Sequence, residues 1–260
     1  MRRRLIARWQ GILLALIGIV ATAWLAVTDR LGLYIHPRYF WFTVIMAAIG
    51  AVLVVAAFAF APLPEPREDE HEHEHEPEHE TAAPSARAGK LRAALTVMIL
   101  VGAAFALLVL PPATLTSATA AQRSINSSGA TLDQGGPALV GGDTSQFTVK
   151  DWALLLRQSP DASTFAGETV DVTGFVTASP DDPENVFYVA RFVVTCCAVD
   201  AQPVGVPVYL PGWAEQFAPD EWVAASGVII PNPGSTGADR LLLDPEELTV
   251  TEQPDQPYVF

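Results

Sequence analysis

The segment that decides the fold of the C-terminal half is residues 186–210, which read VFYVARFVVTCCAVDAQPVGVPVYL. Aromatic and β-branched residues dominate its first part, so a strand is predicted over 186–195 and a second, shorter strand over 206–210. Between them lie Cys196 and Cys197, the only two cysteines of the chain. The segment therefore predicts two strands joined by a loop that presents adjacent thiols.

Further strand-like runs flank this segment and are separated by turn residues. They cover residues 168–177, 222–230, 241–243 and 248–251. A short helix is predicted before them over 148–158, with Thr148 as its cap and Asp151 as the acidic partner. Five or six short strands favour a small barrel or sandwich, and their order resembles the OB-fold. Residues 147–260 are therefore predicted to form a small all-β domain, an OB-fold-like barrel.

Three apolar runs precede this domain, at 9–27, 40–61 and 93–110. Each is about the 20 residues needed to cross a hydrocarbon core of about 30 Å. None contains a charged side chain, which would cost at least ~2.5 kcal/mol at mid-bilayer. We therefore expect three transmembrane helices, two within 1–61 and the third at 93–111. The alternative for the first run is a cleaved signal peptide, which its length disfavours.

Basic residues predict the orientation of these helices in a cell membrane. They cluster before the first run and before the third: Arg2, Arg3, Arg4, Arg8, Arg87, Lys90 and Arg92. Placing both clusters inside makes the N-terminus and the linker at 62–92 cytoplasmic. The C-terminal domain is then extracytoplasmic, joined to the third helix by a Ser/Thr/Ala/Gly stretch at 112–146 that is typical of a flexible tether.

The charge of the outer region restricts its partners. Residues 93–260 carry five Lys and Arg against nineteen Asp and Glu. This balance argues against nucleic acid and against anionic lipid head groups as partners, and it favours the attraction of cations. We therefore expect no nucleic acid, and membrane lipid only around the helices.

The predicted cytoplasmic linker concentrates histidine among acidic residues. Four of the five histidines of the chain lie within nine residues, at His71, His73, His75 and His79. Alternate side chains of an extended chain share one side, so the first three can converge on one ion. Imidazole with carboxylate suits zinc. A weak, exchangeable metal site is expected, and a solvated linker with no metal is the alternative.

Three interpretations of Cys196 and Cys197 remain open from their local sequence. They are ordinary buried thiols, or a vicinal disulfide, or metal thiolates with Asp200 as a further ligand. The disulfide would be strained, because adjacent Cα atoms lie about 3.8 Å apart, below the usual range of about 4.4–6.8 Å. Thiolate with carboxylate is adequate for zinc. Arg191 is expected either to favour the thiolate form or to pair with Asp200.

A larger pattern surrounds the cysteines, Arg-x4-Cys-Cys-x2-Asp-Ala-x-Pro-x-Gly over residues 191–205. Together with Gly174-Phe175-Val176 and Tyr34-Ile35-His36-Pro37, it resembles the signature of the YcgQ-like family of bacterial membrane proteins. The resemblance covers the first two apolar runs and residues 147 to about 250. It implies a membrane protein that acts beside a separate multi-span permease and is linked in some lineages to zinc homeostasis.

These observations predict an accessory subunit of a permease that handles a divalent cation such as zinc. Cys196, Cys197 and Asp200 would form its outer site and the His/Glu linker its inner one. The apolar runs carry no charge, so a conducting path requires the partner subunit. The alternatives are an extracytoplasmic thiol-redox protein and a structural anchor. We expect no enzyme, because His36 is the only histidine outside the linker and few general bases remain.

Overall fold

The computed structural model describes residues 2–60, 86–110, 113–127, 144–158, 165–234 and 239–260. Its contacts divide the chain into two compact units, Met1–Leu31 with Arg38–Pro112, and Gly32–Pro37 with Ala113–Phe260. A short segment of the N-terminal part therefore belongs to the C-terminal unit. The predicted inner metal ligands fall outside the described residues: His71, His73, His75 and His79.

The first unit is helical. Its described residues form α1 (Arg2–Val27), α2 (Phe40–Phe60) and α3 (Ala86–Leu108), and α1 contacts both of the others. Two stretches, Gln10–Val27 and Pro37–Ala57, are long and apolar enough to cross a membrane. These two apolar helices are consistent with membrane insertion, and the first also with a signal sequence.

The third predicted span is shorter than expected. The apolar part of α3 covers Ala94–Leu108, which falls short of the length of the other two apolar stretches. Lys90 and Arg92 lie inside the same helix, because α3 begins at Ala86 rather than at the first apolar residue. The described residues therefore contain two helices of spanning length, not three.

Polar side chains of these helices find partners within the unit. Gln10 donates to the Thr96 hydroxyl and so links α1 to α3. Thr22 donates its hydroxyl to the Gly18 carbonyl oxygen at 2.9 Å, one turn earlier in its own helix. Such internal bonds are what an apolar environment requires of polar groups, because no water replaces them there.

The second unit is built on a six-stranded sheet. Its strands are β1 (Thr169–Ala178), β2 (Val186–Val193), β3 (Gln202–Tyr209), β4 (Trp222–Pro231), β5 (Leu241–Val250) and β6 (Tyr258–Val259). The sheet order is β1-β4-β5-β3-β2-β6, and an additional pairing of β1 with β2 closes the first five strands on themselves. Neighbours run antiparallel except for the parallel pairs β3–β5 and β2–β6.

Two strands differ from their predicted limits, and one was not predicted. The strand β3 begins at Gln202, where it pairs with Val193, so the loop after the cysteines is shorter than the sequence indicated. The strand β5 is continuous where two short runs around an acidic turn were predicted, because its acidic residues pair with β4. The strand β6 has only two residues, too few for a periodicity signal.

Glycine allows close backbone approach at two places in this sheet. A Cβ on Gly174 would lie 2.5 Å from the Ala190 carbonyl oxygen, near where β1 changes from pairing with β4 to pairing with β2. A Cβ on Gly227 would lie 2.1 Å from the Asp244 carbonyl oxygen, at the register shift between β4 and β5. The register shift at Gly227 is a β-bulge or a similar irregularity.

The strands bury two separate apolar clusters, as alternation of side chains across a sheet requires. The larger cluster takes one face of the closed strands and the helix α5 (Val149–Gln158), including Trp152, Phe187 and Trp213. The smaller cluster takes the opposite face of β1 and β2. Its buried members are Ala120, Phe175, Tyr188, Ala190, Phe192, Val194, Ala201 and Tyr258.

The helix α5 begins as predicted. The Thr148 backbone N–H donates to the Asp151 carboxylate at 2.8 Å, and the Asp151 N–H donates to the Thr148 hydroxyl at 3.4 Å. This reciprocal pair is the capping arrangement expected from the sequence. Four consecutive residues, Trp152 to Leu155, are buried in the larger cluster.

Part of the predicted tether at 112–146 has structure of its own. Residues 113–127 contain the short helix α4 (Ser117–Ala121), and Ala120 is fully buried in the smaller cluster. Asn126 exchanges two side-chain hydrogen bonds with the Gly205 backbone, each 2.9 Å long. This part of the chain is thus attached to β3. Residues 128–143 lie outside the described residues.

Candidate functional site

The two cysteines lie in residues 194–201, which connect β2 to β3 and are called the cysteine turn below. Buried residues fix both of its ends. Val194 packs into the smaller cluster and donates its N–H to the Val259 carbonyl oxygen at 3.0 Å, and Ala201 is fully buried. The Asp200 N–H donates to the Cys197 carbonyl oxygen at 2.9 Å and closes the turn internally.

The carboxylate of Asp200 organises the cysteine turn from within. Its Oδ1 accepts the Thr195 N–H at 3.0 Å, and its Oδ2 accepts the N–H groups of Cys196 at 2.8 Å and Cys197 at 3.1 Å. Bonds from backbone N–H groups to a charged acceptor are among the stronger hydrogen bonds in proteins. Asp200 therefore fixes the backbone that carries both thiols.

This geometry brings three potential ligand atoms together. The two Sγ atoms and an Asp200 carboxylate oxygen all lie within 4.8 Å of one another. Cys196 is exposed, and Cys197 and Asp200 are half-buried. No disulfide joins the two cysteines. The interpretation as two core thiols is wrong for Cys196, whereas the cluster of two sulfurs and a carboxylate that the sequence indicated is present.

Arg191 does not pair with Asp200. Its Nε donates to the Thr173 carbonyl oxygen at 2.7 Å, and its guanidinium carbon lies 5.4 Å from the centre of the Trp222 ring. Burial lowers the pKa of this guanidinium. No ion pair joins Arg191 to Asp200 in the described part of the chain, because the carboxylate is already occupied by backbone N–H groups.

A distant segment, Tyr34–Pro37, lies along the cysteine turn and is called the docking segment below. The His36 N–H donates to the Cys196 carbonyl oxygen at 3.0 Å, and the Ala198 N–H donates to the Tyr34 carbonyl oxygen at 2.8 Å. Ile35 and Cys197 thereby form an antiparallel β-bridge. In the sequence, this segment stands out only through its resemblance to a family motif. Contacts made by backbone atoms leave no pattern of side chains that could predict them.

The imidazole of His36 packs against an aromatic ring, whereas its backbone N–H donates to the cysteine turn. The ring packs edge-on against Phe260 with 4.8 Å between the ring centres. The cluster of ligand atoms contains Cys196, Cys197 and Asp200 and no histidine among the described residues. His36 therefore contributes its main chain to the site.

Comparison with known families shows the family of the chain. Residues 10–126 match the DUF1980 N-terminal domain, and residues 144–260 match the DUF1980 C-terminal domain. The chain belongs to the DUF1980 family. This agrees with the resemblance to YcgQ-like proteins, and the function of the family is unknown. No curated protein and no solved structure is significantly similar to the chain.

Both DUF1980 domains contribute to the cysteine turn. The docking segment lies within the residues that match the N-terminal domain, and the turn lies within the C-terminal domain. The contacts between Tyr34, His36, Cys196 and Ala198 therefore join the two domains of the family at the candidate site.

Proposed function

We propose that this protein is an accessory subunit of a membrane permease and that its cysteine turn takes up a divalent cation, with zinc as the best fit. The observation that carries the proposal is the convergence of the two Sγ atoms and the Asp200 carboxylate within 4.8 Å. Exposure of Cys196 gives an ion access to the turn. The strongly acidic composition of residues 93–260 favours cations over anions at its surface.

The chemistry of the donors fits zinc. Two thiolates and a carboxylate form a ligand set that zinc accepts, with Zn–S distances of about 2.3 Å. Tetrahedral geometry places two such sulfurs roughly 3.8 Å apart, which is compatible with the upper limit of 4.8 Å on the separations of the three ligand atoms. Oδ1 of Asp200 accepts one N–H and keeps capacity for an ion.

A site with three protein ligands suits the transfer of a zinc ion better than its permanent binding. Structural zinc sites are closed by four protein ligands, whereas sites that exchange a ligand keep one position open. The described residues supply three side chains to this cluster. We infer that the open position is where the ion arrives and leaves. The inner linker, with His71, His73, His75 and His79, would receive or buffer the same ion.

We infer the topology and the finer fold from the same reasoning. Three spans with the N-terminus inside and the C-terminal domain outside place the cysteine turn and the His/Glu linker on opposite sides of the membrane. The continuous helix α3, with Lys90 and Arg92 at its start, supports a third span. Closure of the first five strands on themselves supports an OB-fold-like barrel.

Native mass spectrometry of the full chain tests the cation proposal. The reduced protein is measured with and without zinc, in a variant with all four linker histidines replaced by alanine so that only the outer site remains. We expect one zinc per chain, and none after Cys196→Ser with Cys197→Ser. A chain that loses the mass of two hydrogens and holds no ion, even when zinc is present, contradicts the cation proposal.

The accessory role needs a cellular test. A tagged chain is expected to copurify with a multi-span membrane protein, and its deletion is expected to impair growth when zinc is scarce. The double cysteine-to-serine variant should still copurify but should not restore growth. Full restoration by this variant would contradict a role of the thiols and would favour the structural anchor.

The thiol-redox alternative retains one observation in its favour. Cys196 and Cys197 are adjacent and not joined by a disulfide, Cys196 is exposed, and an outer location is oxidising. A strained vicinal disulfide is easily reduced, which suits a redox switch. Under this alternative, the state of the thiols rather than bound zinc would change the behaviour of the partner, and the mass measurement above separates the two.

A further inference from the structure

A second candidate site lies on the C-terminal unit, apart from the ligand cluster of the cysteine turn. It is a cavity of about 890 Å³ between α4, α5, the end of β1 and the start of β5, and it is called the arginine cavity below. Its volume falls within the range of about 300–1,000 Å³ that is typical of pockets for small ligands.

The arginine cavity gathers the few cationic groups of an acidic domain. Residues 93–260 contain only five Lys and Arg, and three of them, Arg123, Arg157 and Arg240, line this cavity. Nineteen acidic residues are spread over the same region, of which Asp181 and Asp239 line the cavity. The cavity is thus a local excess of positive charge in an otherwise negative domain.

The buried polar side chains of the C-terminal unit line the arginine cavity. Among the described residues, Thr177 and Ser179 are the buried polar side chains, and both line the arginine cavity. The Ser179 hydroxyl oxygen accepts the N–H groups of Asp181 and Asp182 at 3.4 Å each, as a buried polar group requires. The two hydroxyl groups give this wall of the cavity a polar character. The rest of the core is apolar.

The more buried of the two acidic residues at this cavity already has a hydrogen-bond donor. The Tyr188 hydroxyl donates to the Asp239 carboxylate. Burial raises the pKa of the Asp239 carboxyl, and burial together with the charge of Asp239 raises the pKa of the Tyr188 hydroxyl. Asp239 and Tyr188 therefore form a bonded pair in the wall of the cavity.

Arg157 and Arg123 have more N–H donors than their hydrogen bonds among the described residues use. A guanidinium has five N–H donors in a planar fork that matches carboxylate and phosphate. Within the described residues, Arg157 uses its Nη1 for the Asn126 carbonyl oxygen, and Arg123 uses two nitrogens for the carbonyl oxygens of Val199 and Ala201. The apolar side chains of Leu156 and Leu241 form another part of the wall.

We propose that the arginine cavity binds a small organic anion, in which a carboxylate or phosphate group lies on a short carbon skeleton. The anionic group would contact Arg157 and Arg240, a hydroxyl group of the ligand would contact Thr177, and the carbon skeleton would lie against Leu156. This site is separate from the cation proposal, because it uses none of the sulfur or carboxylate ligands.

Isothermal titration calorimetry on the full chain in nanodiscs, in metal-free buffer at low salt, tests this inference. The probes are citrate and succinate for carboxylates, glycerol 3-phosphate for phosphates, and glycerol as the neutral control. We expect at least one anionic probe to bind below millimolar concentration, and glycerol not to bind. Affinity should fall as salt rises, because ions screen the arginines.

Matched variants locate the binding. Arg157→Gln and Arg240→Gln are each expected to weaken binding by about tenfold or more, the size of one charged hydrogen bond. Lys150→Gln changes the net charge equally outside the cavity and should leave affinity unchanged. Arg123 is kept, because it also bonds carbonyl groups of the cysteine turn.

Ala178→Trp gives an independent check, because it fills the cavity from an exposed strand end without a change of charge. It should abolish binding while the thermal midpoint of the protein is retained. The proposal is overturned if no anionic probe binds up to millimolar concentration. It is equally overturned if Lys150→Gln weakens binding as much as the two arginine variants.

Discussion

At the scale of single residues, Asp200 has two tasks that compete for the same oxygen atoms. It holds three backbone N–H groups, and it is the proposed carboxylate ligand beside Cys196 and Cys197. A charged acceptor that holds N–H groups is stronger than a neutral one by about a factor of two. The charge of Asp200 therefore serves both the shape of the turn and the affinity for a cation.

We expect Asp200→Asn to weaken zinc binding by about tenfold or more and to raise the reaction rate of the thiols with a maleimide. The amide lacks the negative charge and has only one acceptor oxygen for three N–H donors. Competition with a chromophoric chelator measures the affinity. Asp171→Asn, on the exposed face of β1, is the matched control and should bind as the wild type does. Wild-type affinity in Asp200→Asn would contradict the ligand role.

Tyr188 makes the C-terminal unit sensitive to high pH. Burial beside Asp239 raises the pKa of its hydroxyl above the ordinary value of 10.0. The unfolded chain therefore releases this proton at lower pH than the folded chain. The stability that Tyr188 contributes is fully present below pH 10 and is lost as the pH rises above this value.

Replacement of Tyr188 by phenylalanine tests this dependence. We expect the thermal midpoint of Tyr188→Phe to fall less steeply between pH 9 and pH 11 than that of the wild type. At neutral pH the free energy of unfolding of the variant should be lower by about 1–3 kcal/mol, because the Asp239 carboxylate loses its hydrogen-bond donor. Tyr209→Phe on β3 is the control. Equal slopes in wild type and Tyr188→Phe would refute the assignment.

At the scale of structural elements, the docking segment links the cysteine turn to the chain between α1 and α2. Two hydrogen bonds and one β-bridge hold Tyr34–His36 against residues 196–198. The docking segment lies within the six-residue stretch Gly32–Pro37, which the chain connects to the helical unit on both sides. A change of the turn, by an ion or by oxidation, is therefore expected to act on backbone that continues into α1 and α2.

His36 variants distinguish a backbone clamp from an imidazole ligand. His36→Pro removes the N–H that Cys196 accepts, so the thiols should react about threefold to tenfold faster with a maleimide, the equivalent of one hydrogen bond. His36→Ala keeps this N–H and should react at the wild-type rate. Loss of zinc binding in His36→Ala would instead show that the imidazole is a ligand and that the three-donor site is incomplete.

The sequence predicts elements with strong periodicity well and long-range pairings poorly. The strands β1, β2 and β4 and the cap of α5 lie within a few residues of their predicted limits, because alternation and capping are local signals. The continuous β5 was read as two strands, since Pro245 and the acidic residues beside it resemble a turn. Their pairing with β4 overrides that local preference.

The candidate site likewise has a part that the sequence predicts and a part that it does not. Cys196, Cys197 and Asp200 lie close in sequence and were predicted as one cluster, which the geometry brings within 4.8 Å. The contact of Tyr34 and His36 with the turn joins residues far apart in the chain and rests on backbone atoms. The arginine cavity likewise collects side chains from four separate segments. Neither the docking contact nor the arginine cavity can be predicted from residues that are neighbours in the sequence.

At the scale of the whole molecule, the distribution of charge and apolar residues predicts sidedness. The basic clusters lie at the starts of α1 and α3, and acidic residues outnumber basic ones both in the linker at 62–92 and in residues 93–260. Under the proposed topology the cysteine turn is outside and the four linker histidines are inside. The two proposed metal sites then face opposite compartments, as the proposed function expects.

An impermeant maleimide tests this topology in intact, reduced cells. Cys196 and Cys197 are the only cysteines, so any label on the chain reports their location. We expect intact cells to label the wild type and not the double serine variant. Labelling that requires broken cells, while a denatured sample reacts fully, would place the turn inside and would contradict the proposed topology.

Cobalt absorption tests most directly the central claim that the cysteine turn binds a divalent cation through sulfur. Co²⁺ bound to thiolate shows a charge-transfer band in the near ultraviolet, which histidine and glutamate ligands do not give. Co²⁺ bound to the inner linker therefore does not contribute to this band. Titration of the reduced full chain is expected to give this band at one Co²⁺ per chain, and zinc should remove it. The band should be absent in Cys196→Ser with Cys197→Ser. A reduced wild-type chain that shows no such band at saturating Co²⁺ would contradict the account.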